Sequence, residues 1–233
     1  MTEALLLFDI DGTLVLTGGA GQRAMNRAFH DVFGIQDAFT GIDFNGRTDS
    51  SILDDAFTRQ RMTATAADVS RFRARYLVCL QEEVPTPHAS KRVLPGIAPL
   101  LEALRPEPRA FLGLLTGNYA DAAEVKLAHF NLWEYFRCGA FGDDHHDRNG
   151  LVPVALERAR ARGLPHHVEG PRVIVIGDTP RDVSCAHAHG ARCIAVATGG
   201  YDASALRDAG ADIVFDDLGE THDVLDALRM LAG

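Results

Sequence analysis

The chain has 233 residues, of which 46% are hydrophobic and 24% are charged, and its formal net charge is −9. This composition is typical of a soluble globular protein that is large enough for one sizeable domain or for a core with a small insert. The negative charge and the scattered arginines argue against a nucleic-acid surface, and an acidic protein that handles anions needs a metal ion or a few placed cations.

The N-terminus has no basic leader, and its first apolar run meets Asp9 after only a few residues. We therefore expect neither a signal peptide nor a membrane span. The cysteines show no C-x-x-C spacing and no dense framework; they are Cys79, Cys138, Cys185 and Cys193. A reducing cytoplasm is the expected location.

The first predicted element is a strand at residues 5–8 that ends in two carboxylates, Asp9 and Asp11. Its unbroken apolar run is typical of a parallel strand covered on both faces, and ligands of open α/β sheets bind beyond such strand ends. Because side chains alternate along a strand, both carboxylates can face the same side. Such a pair can bind a hard cation, or one carboxylate can act as a nucleophile and the other as an acid and base. The pattern D-x-D-G alone, however, is more often a capped turn.

A helical segment follows this strand. Residues 17–21 are rich in glycine but lack the Gly-Lys-Ser/Thr ending of a phosphate loop, so we interpret them as a hinge. From Gln22 to about Glu83 the apolar residues recur at helical spacing, until prolines and a glycine at residues 85–96 break the pattern.

Within this segment, residues 44–50 predict a loop followed by a helix start. Asp49 and Ser50 are the candidate N-caps of that helix. Arg47 lies beside the start, and a solvated surface position suits this arginine as well as a binding role does.

From Ile97 onward helices and strands alternate, which predicts an α/β fold with a parallel sheet covered by helices on both faces. The predicted helices span residues 97–104, 121–130, 154–162 and 222–231. The predicted strands span residues 110–115, 138–141, 172–177, 194–197 and 213–215.

Two of these strands end in polar groups. Residues 116–118, Thr-Gly-Asn, follow one strand and precede a helix, an arrangement that favours anions. Asp178 ends another strand, and Asp182 follows one helical turn later, so both can reach one ion. Asp182 can instead simply favour the positive end of its helix.

The opening motif, residues 9–14, resembles the first motif of the haloacid dehalogenase superfamily, most of whose members are phosphatases. Thr116 matches the second motif of that family, and residues 177–182 match the fourth, G-D-x-x-x-D. The third motif is typically a lysine followed by proline, and this chain has Arg148 at that place instead. Arginine keeps the positive charge of lysine, but its planar guanidinium is bulkier than an ammonium group. The nearest lysine, Lys126, is out of register within the preceding helix.

The resemblance covers nearly the whole chain and implies a modified Rossmann fold with an inserted α-helical cap. It places the cap domain at residues 18–91 and the catalytic core at residues 1–17 and 92–233. Within the superfamily, the cap and the whole-chain pattern resemble phosphoglycolate phosphatases and their near relatives.

By the same resemblance, Asp9 attacks phosphorus, Asp11 acts as acid and base, and Mg²⁺ is the cofactor. The metal is held by the carboxylates of Asp9 and Asp178 and the main-chain carbonyl of Asp11. The implied catalytic residues are Asp9, Asp11, Thr116 and Arg148. The implied phosphate- or substrate-binding residues are Gly117, Asn118 and Arg47. The implied metal-site residues are Asp9, Asp11, Asp178 and Asp182. The implied partner is a small phosphorylated metabolite, with no nucleic acid and no membrane.

Three rival interpretations are weighed against the phosphatase. A dehalogenase attacks carbon without a metal and has no need of Asp11 or of the Asp178 and Asp182 pair. A sugar-phosphate mutase carries a cap histidine where this chain has Gly21. A catalytically silent binding protein on the same fold is the third, and turnover with magnesium distinguishes it from the enzymes.

Overall fold

The computed structural model describes residues 2–233. Its strands, in chain order, are β1 (Ala4–Phe8), β2 (Val15–Leu16), β3 (Arg92–Val93), β4 (Ala110–Leu115), β5 (Cys138–Ala140), β6 (Val173–Gly177), β7 (Arg192–Val196) and β8 (Ile213–Phe215). Its α-helices are α1 (Ala20–Phe33), α2 (Asp49–Arg59), α3 (Ala66–Glu83), α4 (Ile97–Leu104), α5 (Ala120–His129), α6 (Leu151–Ala161), α7 (Pro180–His187), α8 (Ala203–Asp208) and α9 (Thr221–Ala232).

Six strands form one parallel sheet in the order β5-β4-β1-β6-β7-β8. The predicted α/β fold is therefore confirmed. β1 lies at the centre of the sheet, between β4 and β6, so the carboxyl ends of these three strands meet at one edge. This topology brings together the three polar strand ends that lie far apart in the sequence.

Alternating residues of β1 face two separate hydrophobic layers. Leu6 and Phe8 pack with α4, α5 and α9 on one face, while Leu5 and Leu7 pack with α6, α7 and α8 on the other. These four side chains are fully buried, and burial of each contributes roughly 1.5–3 kcal/mol. The two layers fix the strand end that carries the candidate site.

The helical segment has a core of its own. Phe29 of α1 contacts Phe57 of α2 and Phe72 of α3, with ring centroids 5.4 and 6.1 Å apart. Tyr119 and Ala122, at the beginning of α5, belong to the same cluster, so this segment is packed directly onto the sheet domain. The predicted all-helical character of the segment agrees with these elements.

A short ribbon lies where the chain enters and leaves the helical segment. β2 and β3 pair in antiparallel fashion, and Gly18 and Gly19 follow β2 with φ angles of +66° and +78°. Two consecutive left-handed residues are strained for any amino acid but glycine. This geometry supports the hinge interpretation, while the cap limits at residues 18 and 91 remain a prediction.

Most predicted boundaries differ from the structure by only a few residues, but one helix cap was predicted wrongly. Thr48 precedes α2 with an extended backbone, and its Oγ1 accepts the Ser51 amide at 3.1 Å. Asp49 and Ser50, the predicted caps, are the first helical residues. Among residues 2–233, no helix combines the length and the apolar character needed to cross a bilayer.

Candidate active site

A cavity of about 450 Å³ lies between the sheet edge and the helical segment. Its core side is lined by Asp9, Asp11, Thr116, Gly117, Asn118, Arg148 and Asp178, all of them predicted site residues. The sheet domain thus contributes seven of the nine predicted site residues to the lining of one cavity. Arg47 also lines the cavity, and Asp182 lies behind its wall.

Asp9 forms part of the cavity floor and is only 4% exposed. Arg148 Nη2 lies 3.2 Å from Asp9 Oδ1. Burial raises the pKa of Asp9 to about 6, with Arg148 lowering it and the nearby carboxylate of Asp182 raising it. A single buried cation therefore offsets only part of the negative charge around this carboxylate.

Asp178 lies beside Asp9 at the end of β6. Its Oδ1 accepts a hydrogen bond from Thr13 Oγ1 at 3.1 Å. A methyl group built on the Cα of Gly12 would lie 2.3 Å from Asp178 Oδ2, so the D-x-D-G turn needs glycine to admit this carboxylate. Burial, followed by repulsion from Asp9 and Asp182, raises the pKa of Asp178 well above its usual value.

One oxygen from each of Asp9, Asp178 and Asp182 lies within 4.8 Å of the others, and all three residues are buried. Carboxylate oxygens are the preferred ligands of Mg²⁺, and a buried cluster of like charges becomes more stable when a cation joins it. The donor set therefore fits a hard divalent cation.

Both carboxylate oxygens of Asp182 accept hydrogen bonds from the protein. Its Oδ2 accepts from the Thr179 amide at 3.0 Å and from Thr179 Oγ1 at 2.7 Å, closing a capping box at the start of α7. Its Oδ1 accepts from Arg148 Nη2. Both oxygens thus have protein donors and Asp182 holds Arg148 in place, while its predicted role at the metal stays a prediction.

Arg148 enters the site from the loop before α6, in the place predicted for the third motif. Burial opposes its charge, but Asp182 and Asp9 outweigh burial and raise the pKa of Arg148. Cys185 Sγ donates to the main-chain oxygen of Arg148 at 3.1 Å and holds the loop from below. Arg148 Nε is buried without a hydrogen-bond partner among residues 2–233.

Thr116 closes the other side of Asp9. Its Oγ1 accepts from the Asn118 amide at 3.3 Å and from Asn118 Nδ2 at 2.8 Å. With two acceptor positions filled, the hydroxyl hydrogen of Thr116 is left for an external oxygen. Thr116 is thus oriented as a hydrogen-bond donor toward the cavity.

Asn118 hydrogen-bonds several neighbouring side chains. Its Nδ2 also donates to Asp11 Oδ2 at 2.9 Å, and its Oδ1 accepts from Lys126 Nζ at 2.6 Å. The side-chain amide therefore connects Thr116, Asp11 and Lys126. In the structure Asn118 thus organises neighbouring groups, and its predicted role at the phosphate stays a prediction.

Lys126 was set aside on sequence grounds, yet it lies in the cavity wall. Its ammonium donates to Asp11 Oδ2 at 2.6 Å, and its side chain is 5% exposed. It lies in the last turn of α5. Its one sequence signal is its spacing, three and four residues after Ala123 and Ala122, which places it on the apolar face of this helix.

The sequence matches the family of haloacid dehalogenase-like hydrolases over residues 6–196. The chain belongs to this family. A curated relative, the phosphoglycolate phosphatase of Rhodospirillum rubrum, is 29% identical in an alignment of 229 positions that covers 94% of this chain and 90% of the relative. Family and relative together indicate that this hydrolase is a phosphatase.

Solved structures show the same fold. A predicted phosphoglycolate phosphatase from Haemophilus somnus superimposes with a TM-score of 0.70 at 18% identity, covering 96% of this chain and 98% of that one. A variant of the CbbY protein from Rhodobacter sphaeroides, solved with xylulose 1,5-bisphosphate, has a TM-score of 0.67 at 21% identity, with coverages of 94% and 96%.

A loop from the helical segment of this hydrolase roofs the cavity. We call residues 42–49 the roof loop. Its end is fixed to the sheet domain, because the Asp49 amide donates to Gly117 O at 2.7 Å and Arg181 Nη1 donates to Asn45 O at 2.7 Å. A methyl group on Gly117 would lie 1.9 Å from Arg47 O, so glycine is needed where the roof loop crosses the second motif.

The guanidinium of Arg47 has partners within the helical segment. Nη1 donates to Asp55 Oδ2 at 2.6 Å, and Nη2 donates to Ser51 O at 3.0 Å. Arg47 therefore fastens the roof loop to α2. Its predicted grip on the substrate stays a prediction, and it requires the side chain to leave these partners.

Two more residues of the helical segment reach the cavity and were not predicted as site residues. Asp49 Oδ2 accepts from the Tyr119 amide at 2.9 Å, and burial raises the pKa of Asp49 to about 7 against the attraction of Lys126. Tyr76 of α3 is only 2% exposed and lines the same wall. The sequence indicates Asp49 only as a candidate helix cap, and Tyr76 lies in the segment where apolar residues recur at helical spacing.

Proposed function

We propose that this enzyme hydrolyses small phosphate monoesters with Mg²⁺, using Asp9 as the nucleophile. The observation that carries the proposal is the position of the Asp9 carboxylate, buried at the cavity floor between Arg148 and Asp178. An Asp9 oxygen bonds to phosphorus as the bond from phosphorus to the leaving oxygen breaks. Water then cleaves the aspartyl-phosphate and regenerates Asp9.

Asp11 is suited to the proton transfers of both steps. It lies at the cavity rim, and Asn118 and Lys126 hold the same carboxylate oxygen, Oδ2. Its other oxygen is left to give a proton to the leaving alkoxide and to take one from the attacking water. Thr116 Oγ1 and the main-chain amide of Gly117 position the phosphoryl oxygens, and Arg148 stabilises their charge.

Asp9, Asp178 and the main-chain carbonyl of Asp11 are the groups that would hold Mg²⁺. When bound, the ion supplies the positive charge that lets an anionic nucleophile approach an anionic phosphoryl group. The ligands are oxygens only, which favours Mg²⁺ over zinc. Asp182 supports this cluster through Arg148.

The competing activities fit this cavity less well. Gly21 contributes no side chain, whereas the resembled mutases carry a histidine there for acid/base work on the sugar. A dehalogenase needs no carboxylate cluster such as Asp9 with Asp178. We therefore place phosphate monoester hydrolysis first, with phosphoglycolate and sugar phosphates as candidate substrates.

The test combines turnover with trapping of the intermediate. We expect wild-type protein with Mg²⁺ to hydrolyse p-nitrophenyl phosphate, and Asp9→Asn to lose this activity while it keeps the same circular dichroism and melting temperature. The exposed Asp226→Asn is the matched control, since it makes the same chemical change far from the cavity. Mass spectrometry of acid-quenched wild type should find phosphate on Asp9.

Metal dependence is tested in the same assay. Excess chelator should abolish turnover, and added Mg²⁺ should restore it. Hydrolysis by Asp9→Asn at the wild-type rate would refute the nucleophile, and full activity in chelator would refute the cofactor.

A further inference from the structure

The wall of the cavity beside Asp11 contains three polar side chains that do not contact the phosphoryl group in the proposed mechanism. They belong to Asp49, Tyr76 and Lys126, and we call them the cap-side triad. Each of the three residues is at most 6% exposed and lines the cavity. Two of them come from the helical segment and one from the sheet domain, so they form a site only when the two parts are packed together.

Gly21 shows how closely these groups approach one another. A methyl group built on its Cα would lie 3.5 Å from Lys126 Nζ and 3.8 Å from Tyr76 Oη, both ordinary contact distances. The absence of a side chain at this position leaves room between the ammonium and the phenol. Since Lys126 also bonds Asp11, this space adjoins the residue that protonates the leaving oxygen.

The hydrogen-bonding capacity of the triad is only partly used. Tyr76 Oη makes no hydrogen bond with any of residues 2–233, although the side chain is buried by its ring contacts with Phe72 and Tyr119. Asp49 uses Oδ2 for the Tyr119 amide, and Oδ1 has no hydrogen-bond partner in the same part of the chain. Both atoms are open to the cavity rather than sealed in the packing, so they are available to hydrogen-bond a bound ligand.

The charged residues that line the cavity indicate which chemical class of ligand can bind beside the triad. Among the described residues lining the cavity, three are cationic, and each already has a carboxylate partner: Arg47 with Asp55, Arg148 with Asp9 and Asp182, and Lys126 with Asp11. A second anionic group on the substrate would therefore lie next to carboxylates without a free cation. A hydroxyl group can accept from a phenol or an ammonium and donate to a carboxyl oxygen.

We infer that the cap-side triad binds a hydroxyl group on the leaving-group end of the substrate, so that the preferred esters carry a neutral, hydroxylated alcohol rather than a carboxylate. This inference rests on the proposed phosphatase function and narrows its substrate class. The Asp49 carboxyl serves in either protonation state, because a hydroxyl group both donates and accepts.

The test uses two esters that differ at one end. In 2-phosphoglycolate the leaving group ends in a carboxylate, and in 2-hydroxyethyl phosphate it ends in a hydroxymethyl group on the same two-carbon chain. We expect kcat/KM of wild type to be at least about tenfold higher for 2-hydroxyethyl phosphate than for 2-phosphoglycolate. The reason is that burying the unpaired carboxylate of 2-phosphoglycolate costs at least as much free energy as one hydrogen bond contributes.

Two variants then test the triad itself. Asp49→Asn keeps an oxygen for the Tyr119 amide but removes a negative charge. The ratio of kcat/KM for 2-hydroxyethyl phosphate to kcat/KM for 2-phosphoglycolate should therefore fall by about tenfold. Tyr76→Phe keeps the ring packing and should lower kcat/KM for 2-hydroxyethyl phosphate by roughly five- to tenfold. Asp226→Asn and Tyr135→Phe make the same changes outside the cavity and should leave the ratio unchanged.

The outcomes separate the inference from the proposed function. Wild-type preference for 2-phosphoglycolate, or a ratio that neither variant moves, overturns the assignment of the triad while leaving the phosphatase proposal intact. Failure of wild type to hydrolyse p-nitrophenyl phosphate with Mg²⁺ overturns the proposed function, and the inference falls with it.

Discussion

Arg148 Nη2 lies 3.2 Å from Asp9 Oδ1, and the same nitrogen donates to Asp182 Oδ1. One guanidinium thus stands between the candidate nucleophile and the carboxylate that caps α7. The family typically has a lysine in this motif, and a single ammonium group offers a less extended set of donors. The arginine therefore links the candidate nucleophile to the fourth motif, and its proposed role at the phosphoryl group would come in addition.

Removing this guanidinium should slow the reaction and weaken the fold together. We expect Arg148→Ala to lower kcat by about a hundredfold, as for other placed charge-stabilising donors. It leaves Asp182 buried without its cation and should also cost roughly 3–5 kcal/mol of unfolding free energy. Arg148→Lys keeps the charge and should recover part of both losses.

Steady-state kinetics and urea unfolding on the same samples distinguish these two effects. Arg158→Ala is the matched control, since this arginine pairs with Asp144 in a partly exposed bridge outside the cavity wall. If both Arg148 variants behaved like wild type, Lys126 would become the candidate for the third motif.

Lys126 should matter for proton transfer through its contact with Asp11. We expect Lys126→Met to lower kcat for an alkyl phosphate by roughly tenfold or more, a fraction of what acid/base catalysis contributes. The loss should be smaller for p-nitrophenyl phosphate, because its leaving group needs little protonation. Equal losses for both esters would assign Lys126 to binding or folding instead.

The control for this variant is Lys91→Met. Lys91 is the other lysine of the chain, and its ammonium contacts the main-chain oxygens of Val84 and Thr86 outside the cavity. We expect this change to leave the ratio of the two ester rates as in wild type.

Arg47 and Asp55 should act as a pair that holds the roof loop. Arg47 Nη1 and Asp55 Oδ2 are 2.6 Å apart, and the Asp55 side chain is 48% exposed, so the ion pair itself contributes at most about 1 kcal/mol. We expect Arg47→Ala and Asp55→Ala to raise KM by a similar, small factor for every ester. If KM rose only in Arg47→Ala, and only for esters with a second anionic group, Arg47 would bind the substrate directly.

Asp49 should make the stability of the metal-free protein depend on pH. Its pKa is raised from 3.8 to about 7, so the folded state holds this proton more tightly than the unfolded state does. Stability from this group is complete below about pH 4 and is lost as the pH rises through about 7. The loss between pH 5 and pH 8 should be roughly 3 kcal/mol.

Urea unfolding in chelator, at about pH 5 and about pH 8, measures this effect. Asp9 and Asp178 change stability in the same direction, so the informative quantity is the difference between wild type and Asp49→Asn. We expect the unfolding free energy of Asp49→Asn to decrease clearly less between the two pH values than that of wild type. Asp226→Asn should show the same decrease as wild type. An identical decrease in all three proteins would contradict the role of Asp49.

The predicted site residues that the structure brings together at the cavity floor lie where a strand ends. Asp9, Thr116 and Asp178 each follow a buried strand, and parallel neighbouring strands bring their carboxyl ends to one edge. Local patterns are sufficient for such residues. The placement of Arg148 came from the order of the motifs, and its contact with Asp9 agrees with it.

Sequence by itself determined the alternation of strands and helices, the helical insert and the positions of the acidic strand ends, because these follow from periodicity over a few residues. Only the tertiary structure decided which polar groups meet across the cavity. Lys126 reaches Asp11 over 115 positions of sequence, and the Tyr119 amide reaches Asp49 over 70. Such contacts depend on how α5 and the helical segment pack together, and packing between distant segments leaves no periodic signal in either one.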